Sequence, residues 1–174
     1  MTYSLHEINF RIISLTFDGT TTNLTALKTL GCNFQIDNFK THFQYPSTKE
    51  KVFVFLEASH MLKLVRNILG ASKILIDNDG EEIQWKYLEE LYKLQTAEEF
   101  HLGNKLTIRH IDYAKQKMKV KLAAQLLSQS VADALTFCKD SLKLQTFQSS
   151  AATTKFLKKF NDLFDIFNSK SLKQ

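Results

Sequence analysis

Twice within its first part the chain passes from a short apolar run, through a carboxylate, into a helical pattern. The first run is Phe10-Arg11-Ile12-Ile13-Ser14-Leu15-Thr16-Phe17, which is apolar and β-branched and reads as a buried strand. It stops at Asp18-Gly19. Thr20, Thr21, Thr22 and Asn23 then offer N-caps for a short helix from Leu24 to Leu30, closed by Gly31. The second run, Val52-Phe53-Val54-Phe55-Leu56, reads as another buried strand and leads through Glu57 into a helix from Met61 to Leu69, stopped by Gly70. Residues 33–51 between them are polar, contain the only proline, Pro46, and read as a loop. A strand, an acidic turn and a helix make half of an α/β unit, and two in series set the class of this part as α/β.

The pattern changes near residue 70, which is the expected domain boundary, dividing 1–69 from 70–174. Ile74-Leu75-Ile76, Asp77-Asn78-Asp79-Gly80 and Glu81-Glu82-Ile83 read as a β-hairpin with Asp-Gly turn chemistry. From Trp85 onward the spacing is helical. Trp85, Leu88, Leu91, Tyr92 and Leu94-Gln95 share one face. Met118, Leu122, Gln125-Leu126 and Ala132 continue at that spacing, as do Phe156, Phe160, Leu163-Phe164 and Phe167. The expected class is therefore α/β followed by mainly α.

Composition bounds the partners. A chain of 174 residues holds one ordinary domain or two small parts of larger ones. At 44% apolar it can build a core, and no apolar run is long enough to span a membrane. The first residues lack the basic-then-apolar order of a secretory signal. Cys32 and Cys138 are too few and too far apart for a disulfide scaffold or a Cys-x-x-Cys zinc pair, and are expected as reduced thiols near a core. The net charge of +5 suits a polyanion, although many helical proteins are this basic. Arg11, Arg66 and Arg109 are the only arginines, so any DNA contact is expected mainly at the backbone rather than at base edges.

Four places could carry chemistry. Asp18 ends a strand at the sheet edge where α/β proteins bind ligands, and a carboxylate there can hold Mg²⁺ together with waters and phosphates. Local pattern alone favours a turn cap before Gly19. Glu57 and His60 are weak metal candidates, and a solvated acid with a helix-start histidine is the plainer reading. Lys115, Lys117, Lys119 and Lys121 could bind phosphate or line a solvated helix face. Asp165 and Asn168 share a helix face beside Phe164. A carboxylate there could accept from guanine N1–H and its exocyclic amine, a donor pair adenine lacks, while the aromatic stacks on the base. An amphipathic helix with Asp outside accounts for the same spacing.

Taken together these motifs resemble those of the P-element-type DNA transposases, which include the THAP-domain transposases of animals. Leu15-Thr16-Phe17-Asp18-Gly19-Thr20-Thr21-Thr22-Asn23 resembles that family's second acid motif. Phe55-Leu56-Glu57-Ala58-Ser59-His60-Met61-Leu62-Lys63-Leu64-Val65-Arg66-Asn67 is similar to its next landmark, and Gln116 to Gln125 and Leu163 to Ser169 to two later ones. The four agree in order and spacing and cover nearly the whole chain. The resemblance implies part of a ribonuclease-H-like fold, interrupted by the first part of a helical GTP-binding insertion domain. It implies Asp18 as the second of three metal-binding acids, a catalytic role that reverses the local reading. It also implies a guanine-nucleotide site at Lys119, Val120, Ser128, Phe164, Asp165 and Asn168, with Lys105 as a further phosphate contact. GTP and Mg²⁺ would be the cofactors, transposon-end DNA the partner, homo-oligomers an option and the nucleus the location.

The chain departs from the pattern in several places. The family usually has Asp where Glu57 stands, so Glu57 receives no catalytic role. The first acid would precede residue 1 and the third would follow residue 174. No Cys or His pattern of the zinc-coordinating THAP module is present. The expected function is that of a part of a GTP-dependent cut-and-paste transposase, inactive by itself. The alternatives are a nucleotide- or DNA-binding module without catalysis and a helical interaction protein. Unpaired strand edges in the first part lead to a further expectation, that the chain alone aggregates or dimerises unless the helical part shelters them.

Overall fold

The computed structural model describes residues 11–98 and 102–168, apart from the side chain of Ile36. Phe10 and Ser169, named above, lie outside the described residues. The chain forms two compact units, Met1–His60 and Met61–Gln174.

The first unit carries a three-stranded sheet of order β1-β3-β2, made of β1 (Ser14–Phe17), β2 (His42–Gln44) and β3 (Lys51–Leu56). Strands β1 and β3 run parallel with Phe17 opposite Leu56. Strand β2 runs antiparallel to β3 with His42 opposite Phe53. Helix α1 (Thr21–Thr29) places Leu27 over one face, where Cys32, Phe43, Val52 and Val54 are buried with it. The parallel pairing brings the C-terminal ends of β1 and β3, and the acids that follow them, to one sheet edge.

Three expectations change here. The segment read as a loop contains β2. Its sequence shows only Phe43 as an apolar residue, and its strand conformation comes from pairing with β3. Strand β3 is not buried on both faces. Its residues alternate, with Val52 and Val54 inside and Phe53 and Phe55 44% and 42% exposed, since the core gathers on the face that α1 covers. Strand β1 is shorter than expected and only half-buried, as suits an edge strand whose Leu15 and Phe17 alone turn inward.

The second unit begins within α2 (Ala58–Ser72). That helix runs through Gly70 rather than stopping there. Its glycine answers to packing, because a Cβ at Gly70 would lie 2.6 Å from two ring carbons of Tyr113. Next comes the expected hairpin, β4 (Ile74–Ile76) and β5 (Glu82–Gln84), with Ile74 opposite Gln84. Asp77 Oδ1 accepts from the amides of Asp79 and Glu81, and Gly80 takes the left-handed φ of +82° that the turn needs.

The rest is helical: α3 (Lys86–Ala97), α4 (Ile108–Ile111), α5 (Val120–Leu126), α6 (Gln129–Asp140) and α7 (Ala151–Asn168). Leu88, Leu91 and Gln95 fall on one buried stripe of α3. Val131, Ala132, Leu135 and Cys138 do the same on α6. Together with Trp85, Leu126, Leu127 and Leu157 the apolar members of these stripes form a single core, each large apolar side chain stabilising the fold by about 1.5–3 kcal/mol on burial. Helix α7 packs on α6 and on β5, where the buried Thr153 hydroxyl accepts from the Gln84 amide at 2.9 Å. Met118 is corrected: it is 75% exposed in the turn before α5, because that segment is not yet helical. Phe167, expected on the apolar face of α7, is 54% exposed, whereas Phe156, Phe160 and Phe164 pack against the core.

Helix α4 is docked on α5 through His110. Its Nδ1 accepts from the Thr107 amide at 3.0 Å, closing a capping box, and its Nε2 lies 3.2 Å from Gln125 Oε1. Burial pushes the His110 pKa below its ordinary value, outweighing the hydrogen bond to Gln125 Oε1 that favours the charged form.

Candidate functional site

The predicted residues fall into three places. Asp18 stands at the C-terminal end of β1, exposed, and accepts from the Thr20 hydroxyl at 3.0 Å and from Asn23 Nδ2. The Thr20 hydrogen bond comes first among the causes that hold its carboxyl below the usual carboxylate range. The Asn23 side chain adds to it, and His60 contributes more weakly through its charge. Asp18 is therefore an ionised acid at the edge of a parallel pair, held by a local turn. Thr20, expected as an N-cap, spends its hydroxyl on Asp18 and makes no cap to α1.

Glu57 follows β3 at the same edge, and its amide donates to the Phe17 carbonyl at 2.7 Å. Its two carboxylate oxygens accept from the amides of Ser59 and His60 at 3.1 and 2.8 Å. Glu57 is thus the N-terminal cap of α2 rather than a solvated acid, a role that a carboxylate at a helix start performs well. Among the described residues no group of three His, Cys, Asp or Glu side chains is placed to hold a metal ion. The donor set fits one carboxylate ligand of a magnesium ion, not a complete two-metal centre.

The second place joins α6 to α7. Ser128 is the N-cap of α6; its hydroxyl accepts from the Val131 amide and donates to the Gln125 carbonyl at 2.8 Å. The Gln129 amide, one of the orphan donors of that helix start, donates to Asn161 Oδ1 at 3.2 Å. Asn161 Nδ2 in turn donates to Asp165 Oδ2 at 3.1 Å. Ser128 and Asp165, far apart in sequence, therefore belong to one connected group. Phe164 is half-buried against the core, which fixes its ring, while Asp165 and Asn168 are exposed on the following turn. Asp165 and Asn168 are three residues apart, and Phe164 and Asn168 four, so the three side chains share a helix face.

Sequence reasoning missed Gln129 and Asn161. Their role depends on α7 crossing the start of α6, and the only local signal is that Asn161 stands one helical turn before Asp165.

The third place is the start of α5. Lys119 is its exposed N-cap residue and Val120 its half-buried first residue. Val120 and Ser128 lie at opposite ends of α5, whose seven residues rise about 10 Å. Lys105 is exposed between α3 and α4. No hydrogen bond or ion pair among the described residues joins Lys105 or Lys119 to the Ser128–Asp165 group. The four lysines of the alternating run do not share one element: Lys115 lies in a 3₁₀ turn paired with Asp112, Lys117 and Lys119 precede α5, and Lys121 is inside it.

Chemically, the α7 end offers a carboxyl acceptor beside a fixed aromatic ring, a combination suited to a planar base with paired donors. The α5 start offers a flexible cation suited to phosphate.

Comparisons with known proteins bear on this arrangement. Residues 59–174 match the family model described as TNP-like, GTP-binding insertion domain. The chain is 32% identical over 168 residues to DNA transposase THAP9 of Homo sapiens, covering 96% of this chain and 18% of that protein. It is 33% identical over 168 residues to the Transposable element P transposase of Drosophila melanogaster, covering 95% of this chain and 21% of that one. It therefore spans about a fifth of the length of these curated relatives. Among solved structures, the Drosophila P element transposase strand transfer complex matches with a TM-score of 0.80 and 32% identity, over 95% of this chain and 36% of that chain.

Proposed function

Because the chain belongs to the P-element-type DNA transposases and carries their TNP-like, GTP-binding insertion domain, we propose that it is a nucleotide-holding part of such an enzyme. In this reading the α7 end recognises guanine. Phe164 stacks on the base, Asp165 accepts from N1–H and the exocyclic amine, and Asn168 completes the edge. An adenine has no N1–H beside its exocyclic amine, so it would make fewer hydrogen bonds to the Asp165 carboxylate than guanine does. Ser128 holds the start of α6 beneath this group, Lys119 and Val120 approach the nucleotide from the start of α5, and Lys105 adds a phosphate contact.

The observation that carries the reading is the hydrogen-bonded run from the Gln129 amide through Asn161 to Asp165. It links the start of α6, with its partial positive charge, to the proposed guanine-binding carboxylate and orients that carboxylate.

Asp18 is the chain's contribution to DNA chemistry, one of three acids that would hold Mg²⁺. When bound, the metal would polarise phosphate oxygens of transposon-end DNA; Asp18 itself supplies one charged oxygen ligand, aimed by Thr20 and Asn23. Alone, the chain does not cut DNA, because one acid does not make a two-metal site. Its working place is the nucleus, within a longer enzyme on DNA.

Fluorescent GTP titrated against wild type and Asp165→Ala tests the nucleotide reading. Wild type binds saturably and the variant loses at least tenfold, the order expected for removing a charged hydrogen-bond partner worth about 1.5–3 kcal/mol. Equal affinity in the two proteins would refute the assignment.

A further inference from the structure

Arg66 is fully buried on α2. Its Nη2 donates to two backbone carbonyls, Gln116 at 2.9 Å and Lys117 at 3.2 Å. Its Nε donates to Asn67 Oδ1 at 2.7 Å, and Asn67 Nδ2 donates to the same Lys117 carbonyl at 3.3 Å. No carboxylate among the described residues pairs with the guanidinium, and Nη1 is buried without a hydrogen-bond partner. Burying a guanidinium against neutral carbonyls is costly, so the fork is not explained as a source of stability. What it does is hold one stretch of backbone.

That stretch ends where the proposed phosphate-side residues begin. The Lys119 amide donates back to the Gln116 carbonyl, the carbonyl that Arg66 also holds, and the Lys119 carbonyl accepts from Ala123 to open α5. Arg66 and Asn67 thus fix Gln116 and Lys117, and through them the direction in which Lys119 and Val120 leave the turn. We infer that Arg66 and Asn67 are positioning residues for the phosphate side of the nucleotide site, acting through the Lys119–Val120 backbone without touching the nucleotide. The inference rests on the functional reading above.

The test uses Arg66→Lys and Asn67→Ala in the full chain. Lysine keeps the charge but loses the Nε donor to Asn67 and the rigid plane that aims Nη2 at the two carbonyls. Asn67→Ala removes the acceptor of Nε and one bond to Lys117 while leaving the buried guanidinium in place, so it remains informative if Arg66→Lys does not fold. Affinity is measured for GTP and for guanosine, with hydrogen exchange at the Lys119 amide as the readout of backbone order. The expected result is GTP affinity about tenfold lower, the loss of one or two hydrogen bonds' worth of order. Guanosine affinity stays unchanged, circular dichroism stays native and Lys119 exchange is faster.

Unchanged GTP affinity in both variants, with Asp165→Ala still losing binding, overturns the positioning role and leaves the functional reading standing. A parallel loss of GTP and guanosine also overturns it, marking the two residues as general supports of the fold. If the folded wild type binds neither ligand, the functional reading falls and this role with it.

Discussion

Replacing Gly70 by alanine adds one methyl group within a helix, where propensity alone favours alanine by about 0.5–1 kcal/mol. The packing predicts the opposite sign. The new Cβ would lie 2.6, 2.6 and 2.9 Å from three carbons of the Tyr113 ring, against an unstrained carbon–carbon separation of about 3.5–4.0 Å. The ring must retreat by roughly 1 Å. It cannot do so freely, because Trp85, itself fully buried, packs edge-on against it with centroids 5.3 Å apart. Overpacking of this kind costs about 1–3 kcal/mol. Net of helix propensity, Gly70→Ala destabilises by about 1–2 kcal/mol, a fall in Tm of roughly 3–6 °C. Thermal denaturation followed by circular dichroism reads this directly. Repeating the substitution in a Tyr113→Ala background separates the two contributions, and there Gly70→Ala becomes neutral or stabilising. An unchanged or raised Tm in the wild-type background would refute the reasoning and return Gly70 to an ordinary helical position.

Other outcomes follow from the same geometry. Burial holds the His110 pKa below its ordinary value of 6.5, so the unfolded chain binds the proton more readily. Stability from this residue is complete above that value and is lost as pH falls through it toward the folded pKa. His110→Gln should flatten this acid limb in urea melts, and an unaltered pH profile would count against it. The Asp18 carboxyl should titrate below 3.8 by NMR and move upward in Thr20→Val, since the Thr20 hydroxyl is the first cause of its depression; no movement would assign the shift elsewhere. The edge strands β1 and β2, with Phe53 and Phe55 exposed on one face of the sheet, predict concentration-dependent association of the chain alone. Light scattering showing a monodisperse monomer at all concentrations would contradict this.

What could be read from the sequence depended on whether its cause was local. The hairpin was legible because Asp77 and Gly80 carry the turn in their own side-chain and backbone chemistry. The positions of Asp18 and Glu57 at strand ends were legible as two strand–acid–helix runs, although the parallel pairing of the strands and the capping bonds of Glu57 were not. Strand β2 was hidden, since its conformation is imposed by β3 and not by its residues. Gly70 carried a misleading signal, because a glycine that ends a helix and a glycine that admits an aromatic ring look alike in one dimension. At the candidate site, the shared face of Phe164, Asp165 and Asn168 followed from helical spacing. The link through Asn161 to the start of α6, and the grip of Arg66 on Gln116 and Lys117, arise only when distant segments meet.

Guanine selectivity tests the central claim most directly. Fluorescent GTP is titrated against the purified chain with Mg²⁺ present, and unlabelled ATP is then added as competitor. The account predicts saturable binding that excess ATP fails to displace and unlabelled GTP removes. A folded chain that binds no GTP, or one from which ATP displaces GTP as readily as GTP itself, would contradict it.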